Sequence, residues 1–210
     1  GAVGVIVKGQ GIQIIYGPQV TVIKSELESY LAEEHEEEAE TATAGSGENE
    51  HGKEIAESGG NHILYSPFEG ILKPITEAPD EAFASKAMGD GYLVMPEDGI
   101  VEAPEDGEVM FVFPSKHAIG LKAADGTEYL LHIGVDTVKL NGEGFTVFVS
   151  DGQKIKKGEK LMEFDPAYIR EHAVSDACIV IFTGLTEGES LSLEGEKQVK
   201  RLELIGQIRK

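Results

Sequence analysis

The residues best suited to chemistry are two histidines, His117 in FPSKHAIGL and His132 in YLLHIGVDTVKL. A single histidine in an apolar strand is more often a satisfied core residue than a reactive one. Three features count against that reading for His132. Gly134 allows close backbone approach, Asp136 places a carboxylate at even spacing, and His117 lies 15 residues earlier in a stretch able to pair with the strand holding His132. Three chemistries suit such a pair. Zinc would need a third and usually a fourth ligand, and no nearby Cys or His supplies one. A hydrolase dyad would need a nucleophile, and neither a G-x-S-x-G nor an exposed Cys accompanies the pair. The third is a nucleophile with a supporting donor. Neutral imidazole can take a phosphoryl group on one nitrogen while the other is tied by a hydrogen bond, and a second imidazole N–H would stabilise the phosphoryl oxygens. Ser115, two residues before His117, can fix that second ring through its hydroxyl.

Positioning the pair requires a ladder. Folding 118–123 against 128–132 through the turn AADGTE (123–128) brings His117 and His132 to one end of it. The stretch YLLHIGVDTVKL reads mostly as strand, with Tyr129, Leu130 and Leu131 on one side and Val135, Val138 and Leu140 on the other. Beyond residue 60, short apolar stretches close with Gly, Pro, Asp or Asn at roughly ten-residue intervals, predicting an all-β, antiparallel sandwich or barrel-like domain. Expected strands cover 62–65, 70–74, 91–95, 107–113, 118–123, 128–132, 160–164, 178–183 and 191–193, with helical turns only at 80–87 and 166–172. SPFEGILKPI (66–75) and APEDGEVMFV (103–112) share Pro, a Gly three residues on and an apolar residue two beyond, as expected for a duplicated hairpin corner.

Composition narrows the function classes. The formal charge of −20 excludes a basic surface for phosphate backbones, so nucleic acid is not an expected partner. Residues 31–58 hold ten Glu and one Lys, about −9 of that charge, with almost no large apolar residues, and are predicted to be a flexible linker within 31–60. Residues 1–30 read as strand, turn at 8–11, strand and a short helix whose apolar spacing, Ile23, Leu27 and Tyr30, runs on to Leu31 at the start of the Glu run; alone this is too small for a stable core, and it is expected to be the end of a domain. No apolar run approaches the roughly 20 residues of a membrane span, GAVGVIVKG does not resemble a signal peptide, and the lone Cys178 cannot form an internal disulfide. Together these fit a reducing cytoplasm.

AMGDGYLVMPEDGIVEAP, FPSKHAIGL, LLHIGVDTVKLNGEGF and SDGQKIKKGEKLMEFD, in that order, resemble the glucose-type IIA domain of the bacterial phosphoenolpyruvate-dependent sugar phosphotransferase system, from about Ile63 to Glu194. GAVGVIVKGQGIQIIYGPQV resembles the last part of the IIB domain that precedes IIA in fused permeases. The resemblance implies a duplicated hybrid motif over 61–210. It implies that His132 accepts a phosphoryl group from the histidine-containing phosphocarrier protein and passes it to a cysteine of a IIB domain, with His117 as the supporting imidazole. Ser115 stands where the family usually has Thr, and keeps the hydroxyl. Asp90 in MGDG and Asp136 in GVDT match carboxylates at the site rim that would meet an arginine of the phosphocarrier, and Phe113 and Leu130 are candidates for an apolar docking ring. The sugar would be chosen by a membrane domain, through which alone the chain would reach the membrane.

The departures are local. The family's HFGID is HIGVD here, an apolar exchange at Ile133 and Val135, and SDACIVIFTG stands where Thr-Pro is common, changing a turn at Asp176 and Ala177 that lies far in sequence from the histidines. Residues 151–165 also resemble biotinyl and lipoyl carriers, but the carrier lysine is absent, so no cofactor is expected. Cys178 is expected to be buried. Two other functions remain open on sequence: a regulatory IIA-like module controlling a transporter or metabolic enzyme, and a structural domain with an incidental histidine pair.

Overall fold

A computed structural model describes the backbone of two strands, Ala2–Lys8 (β1) and Gly11–Tyr16 (β2), and residues 61–209 in full. The chain divides into two compact units, 1–57 and 58–210. In the first, β1 and β2 form the expected antiparallel hairpin, closing at Lys8 opposite Gly11. The expected helix after residue 20 and the acidic linker lie outside the described residues.

The second unit is antiparallel in every described pairing. Its strands are His62–Tyr65 (β3), Gly70–Pro74 (β4), Asp90–Pro96 (β5), Ile100–Glu102 (β6), Gly107–Val112 (β7), Ala118–Ala123 (β8), Glu128–Val135 (β9), Phe145–Val147 (β10), Lys154–Ile155 (β11), Lys160–Phe164 (β12), Ser175–Phe182 (β13), Ser190–Leu193 (β14), Lys197–Val199 (β15) and Leu204–Arg209 (β16). Eight of them form one sheet in the order β11-β7-β8-β9-β13-β5-β4-β15, and two three-stranded sheets, β14-β16-β3 and β10-β12-β6, complete the unit. The two repeated segments each begin a hairpin, β4 with β5 and β7 with β8. Both open on a glycine whose missing side chain admits the neighbouring backbone: a Cβ would lie 2.0 Å from the Met95 carbonyl oxygen at Gly70 and 2.4 Å from that of Lys122 at Gly107.

The period-two pleat sorts β9 between two apolar clusters. Tyr129, Leu131 and Ile133 join a core that also draws Leu64, Ile205 and Ile208 from one small sheet and Leu161, Met162 and Phe164 from the other. Leu130 points the opposite way, into a second cluster with Ile75, Phe83, Leu93, Phe113, Ile179 and Ile181. The sequence expectation of Tyr129, Leu130 and Leu131 on one side is therefore corrected, because successive strand residues cannot share a face. Strand β13 is buried on both faces, so it reads as a continuous apolar run and contains Cys178 at 0% exposure, where burial raises the thiol pKa well above its ordinary value. Each fully buried Leu or Ile contributes roughly 2 kcal/mol of transfer free energy, and the central sheet concentrates them.

Four expected strands, β3, β4, β8 and β12, and the helix Pro166–His172 have the bounds read from sequence. Three differences bear on the site. Strand β9 continues through His132 to Val135, the residues after it turn as a 3₁₀ helix, Thr137–Leu140, and the first helical turn shortens to Glu81–Ala84. Glu81–Ala84 (α1) and Pro166–His172 (α2) are each started by an aspartate, Asp80 and Asp165, whose carboxylate accepts two backbone N–H groups. The unexpected strands β6, β10, β11 and β15 are two or three residues long, too short for a periodic signal. Strand β16 carries LIGQIR, whose central glycine and glutamine interrupt the apolar run. No helix among the described residues is long and apolar enough to cross a membrane.

Candidate functional site

The β8–β9 hairpin builds the site. Its turn is closed by Asp125, which accepts the Thr127 N–H at 3.0 Å, and this sets Lys122 opposite Glu128 and, at the other end, Ala118 opposite His132. His117 then falls beside Ile133, and its carbonyl accepts the Ile133 N–H at 2.8 Å. The two imidazoles meet edge to face with centroids 4.9 Å apart. Within the sheet His132 lies between Ala118 of β8 and Ile179 of β13.

Hydrogen bonding fixes what each ring can do. Nδ1 of His132 lies 2.8 Å from the Gly134 carbonyl oxygen. A carbonyl only accepts, so Nδ1 carries the proton and Nε2 keeps its lone pair. Nδ1 of His117 lies 2.7 Å from Ser115 Oγ. When that hydroxyl donates, His117 presents Nε2–H as a donor. His117 is 4% exposed, whereas His132 is half-buried. Burial lowers the pKa of His132 to about 4, against a smaller upward pull from the Gly134 carbonyl. Burial, helped by repulsion from His132, lowers that of His117 to about 3. Both rings are therefore neutral near pH 7, the state a nitrogen nucleophile and its N–H donor partner require.

Aromatic side chains hold the rings in place. Phe113, 7% exposed, packs 5.2 Å from His117, and Phe111 packs 5.4 Å from Phe113. Phe111 in turn covers Gly120, where a Cβ would come within 2.5 Å of its ring. Phe83, delivered by the Asp80-capped α1, meets the edge of His132 at 5.1 Å. Sequence reading passed over Phe83. The signal was present as Asp80 with its cap partner three residues on, but nothing in a four-residue helix indicates which strand it faces.

The structure gathers His132, His117, Ser115 and Phe113; the remaining candidates lie on β9, just after it, and on β5. Leu130 lies two residues before His132 in the second cluster, 6% exposed, so it and Phe113 support the rings more than they offer a wide surface. Asp136 is exposed, in a left-handed conformation with φ 64°, and accepts Lys139 Nζ at 2.7 Å. Asp90 opens β5 and pairs with Phe182, three residues along β13 from the Ile179 that pairs with His132. It accepts Lys86 Nζ at 2.9 Å and its own neighbour's N–H from Gly91 at 2.8 Å. Both carboxylates thus already have lysine partners, which residue identity alone does not reveal.

The SDAC departure sits closer to the site than its sequence distance suggests. Between the pairs Ile133–Cys178 and Val135–Ser175 the register shifts, so Gly134 faces the two residues Asp176 and Ala177. Asp176, 4% exposed, is neutralised by Arg170 Nε at 2.7 Å.

Fold and site together define an antiparallel β-sandwich domain built around a pair of neutral imidazoles. Residues 62–187 match the family of the phosphoenolpyruvate-dependent sugar phosphotransferase system, EIIA 1, and the chain belongs to that family. Among solved structures it is similar to the glucose permease IIA from Mycoplasma capricolum, with 33% identity over 72% of this chain and 97% of that one and a TM-score of 0.67. Membership makes the domain a phosphotransferase component with a phosphocarrier role in sugar transport, whose partners are in general a phosphocarrier and a IIB component.

Proposed function

We propose that His132 Nε2 accepts a phosphoryl group from the histidine-containing phosphocarrier protein and donates it to the cysteine of a IIB domain. In the first step the donor's N–P bond breaks as an N–P bond forms at His132. In the second, the cysteine attacks as its thiolate, an S–P bond forms as the Nε2–P bond of His132 breaks, and the His132 lone pair is restored. The observation that carries this reading is the neutral His132 with Nδ1 tied to Gly134, leaving Nε2 free beside a second imidazole. His117, oriented by Ser115, donates Nε2–H to the phosphoryl oxygens as charge gathers there. Asp90 and Asp136 meet the phosphocarrier's arginine, which replaces Lys86 and Lys139 as their partner, while Phe113 and Leu130 form the apolar floor. In the same reading residues 1–30 are the end of a IIB domain, the acidic segment 31–60 tethers it to IIA, and transfer takes place in the cytoplasm.

The test is labelling by phosphoenolpyruvate, enzyme I and the phosphocarrier protein. His132→Ala abolishes incorporation, whereas His117→Ala accepts phosphate and fails in onward transfer. Full labelling of the His132 variant would overturn the assignment.

A further inference from the structure

Resting on that reading of His132, we infer that Thr137 is the positioning residue that holds the Gly134 carbonyl against His132 Nδ1 and so decides which ring nitrogen is free. The acceptor carbonyl lies at an irregular point of the sheet. Ile133 pairs with Cys178 and Val135 with Ser175, so Gly134 stands alone opposite two residues of β13, and regular cross-strand pairing does not set its peptide plane. Gly134 has φ +73°, Asp136 follows at +64°, and the chain then turns into the 3₁₀ helix that Thr137 opens. A carbonyl in such a bend needs a separate support to stay in line with the ring.

Thr137 supplies it from both branches of its side chain. Oγ1 donates to the Ile133 carbonyl at 2.6 Å, clamping the peptide that enters Gly134. Cγ2 fills the space beside Gly134, where a Cβ would lie 2.4 Å from it, with Ile169 and the Ser175 carbonyl on the remaining sides. Only the two backbone torsions of Gly134 then separate the clamped peptide from the carbonyl that accepts His132 Nδ1–H. Thr137 has 0% exposure. Valine would fill the same volume without burying a hydroxyl, so a hydroxyl kept at this depth is explained by the bond it makes.

Two pairs of variants test the inference: Thr137→Val against wild type, and Thr137→Ser against Thr137→Ala, which differ from each other only by the hydroxyl. Long-range proton–nitrogen NMR reads the Nδ1 and Nε2 shifts of His132, and phosphoryl uptake from the phosphocarrier protein is timed in parallel. Wild type and Thr137→Ser are expected to show Nδ1–H alone. Thr137→Val and Thr137→Ala are expected to show Nε2–H in comparable population, with uptake slowed about tenfold. Loss of melting temperature without any change of tautomer, in whichever hydroxyl-free variant folds, would reduce Thr137 to a packing role and overturn the inference. If wild-type label were found elsewhere than His132, the proposed function would fall while the tautomer comparison still decided the part played by Thr137.

Discussion

His117 and His132 sit edge to face at 4.9 Å, with His117 buried and His132 half-buried. The two rings are unequal by construction. One keeps the lone pair of Nε2, and the other is buried with its orientation set by a serine.

Ser115→Ala removes the hydroxyl that meets His117 Nδ1 and leaves a buried ring nitrogen unsatisfied, costing about 1–2 kcal/mol of stability. Ser115→Thr keeps the hydroxyl and is expected to match wild type in urea unfolding and in phosphoryl transfer to IIB. Equal transfer by the alanine variant would show that the ring needs no such support.

The histidines predict a stability maximum near their common unfolded value of 6.5. His117 and His132 are depressed to about 3 and about 4, so in acid the unfolded chain binds protons first, and their contribution is lost as pH falls below 6.5 toward those values. His62 behaves oppositely. Burial pulls its pKa down, but Glu105 and Asp125, whose oxygens lie 3.1 and 2.9 Å from its ring nitrogens, outweigh burial and raise it. Its contribution is complete below 6.5 and is lost as pH rises through the raised value. Melting temperature across pH should therefore decline on both sides. His62→Gln is expected to flatten only the alkaline side, and a curve unchanged there would count against the His62 assignment.

Gly134→Ala forces a side chain into a backbone with φ +73° and against Thr137, Ile169 and the Ser175 carbonyl. The combined strain and overpacking are expected to cost roughly 2–4 kcal/mol, read from the urea midpoint. The same change displaces the carbonyl that binds His132, so phosphoryl uptake should fall at a temperature where the variant is still folded.

Arg170→Ala leaves the 4%-exposed Asp176 without its ion-pair partner beside the Gly134 bulge. Because the guanidinium is 55% exposed, the cost is discounted to roughly 1–3 kcal/mol. Adding Asp176→Ala should recover part of the loss. A double-mutant cycle with no coupling between the two positions would refute the pairing.

Much of this arrangement is legible in the sequence because it is local. Alternation and turn chemistry predict the β8–β9 hairpin, and a hairpin with a known turn sets its own register, so His117 and His132 can be brought together without tertiary information. Ser115 is close enough to His117 to be included for the same reason. The carboxylates Asp90 and Asp136 are identifiable by motif, but their lysine partners depend on where flexible side chains settle.

The amino-acid sequence by itself determines the all-β class, the hairpin that pairs the histidines and the residue types available for phosphoryl chemistry, since each rests on periods, turns and separations of a few residues. Only the tertiary structure decides the rest. It places Phe83 against His132 from a helix almost 50 residues earlier, sets Asp176 and Ala177 opposite Gly134, and lets Thr137 grip the bend between them. These contacts depend on how one sheet face is covered and where one ladder slips by a residue, and the periodicity of a single strand encodes neither.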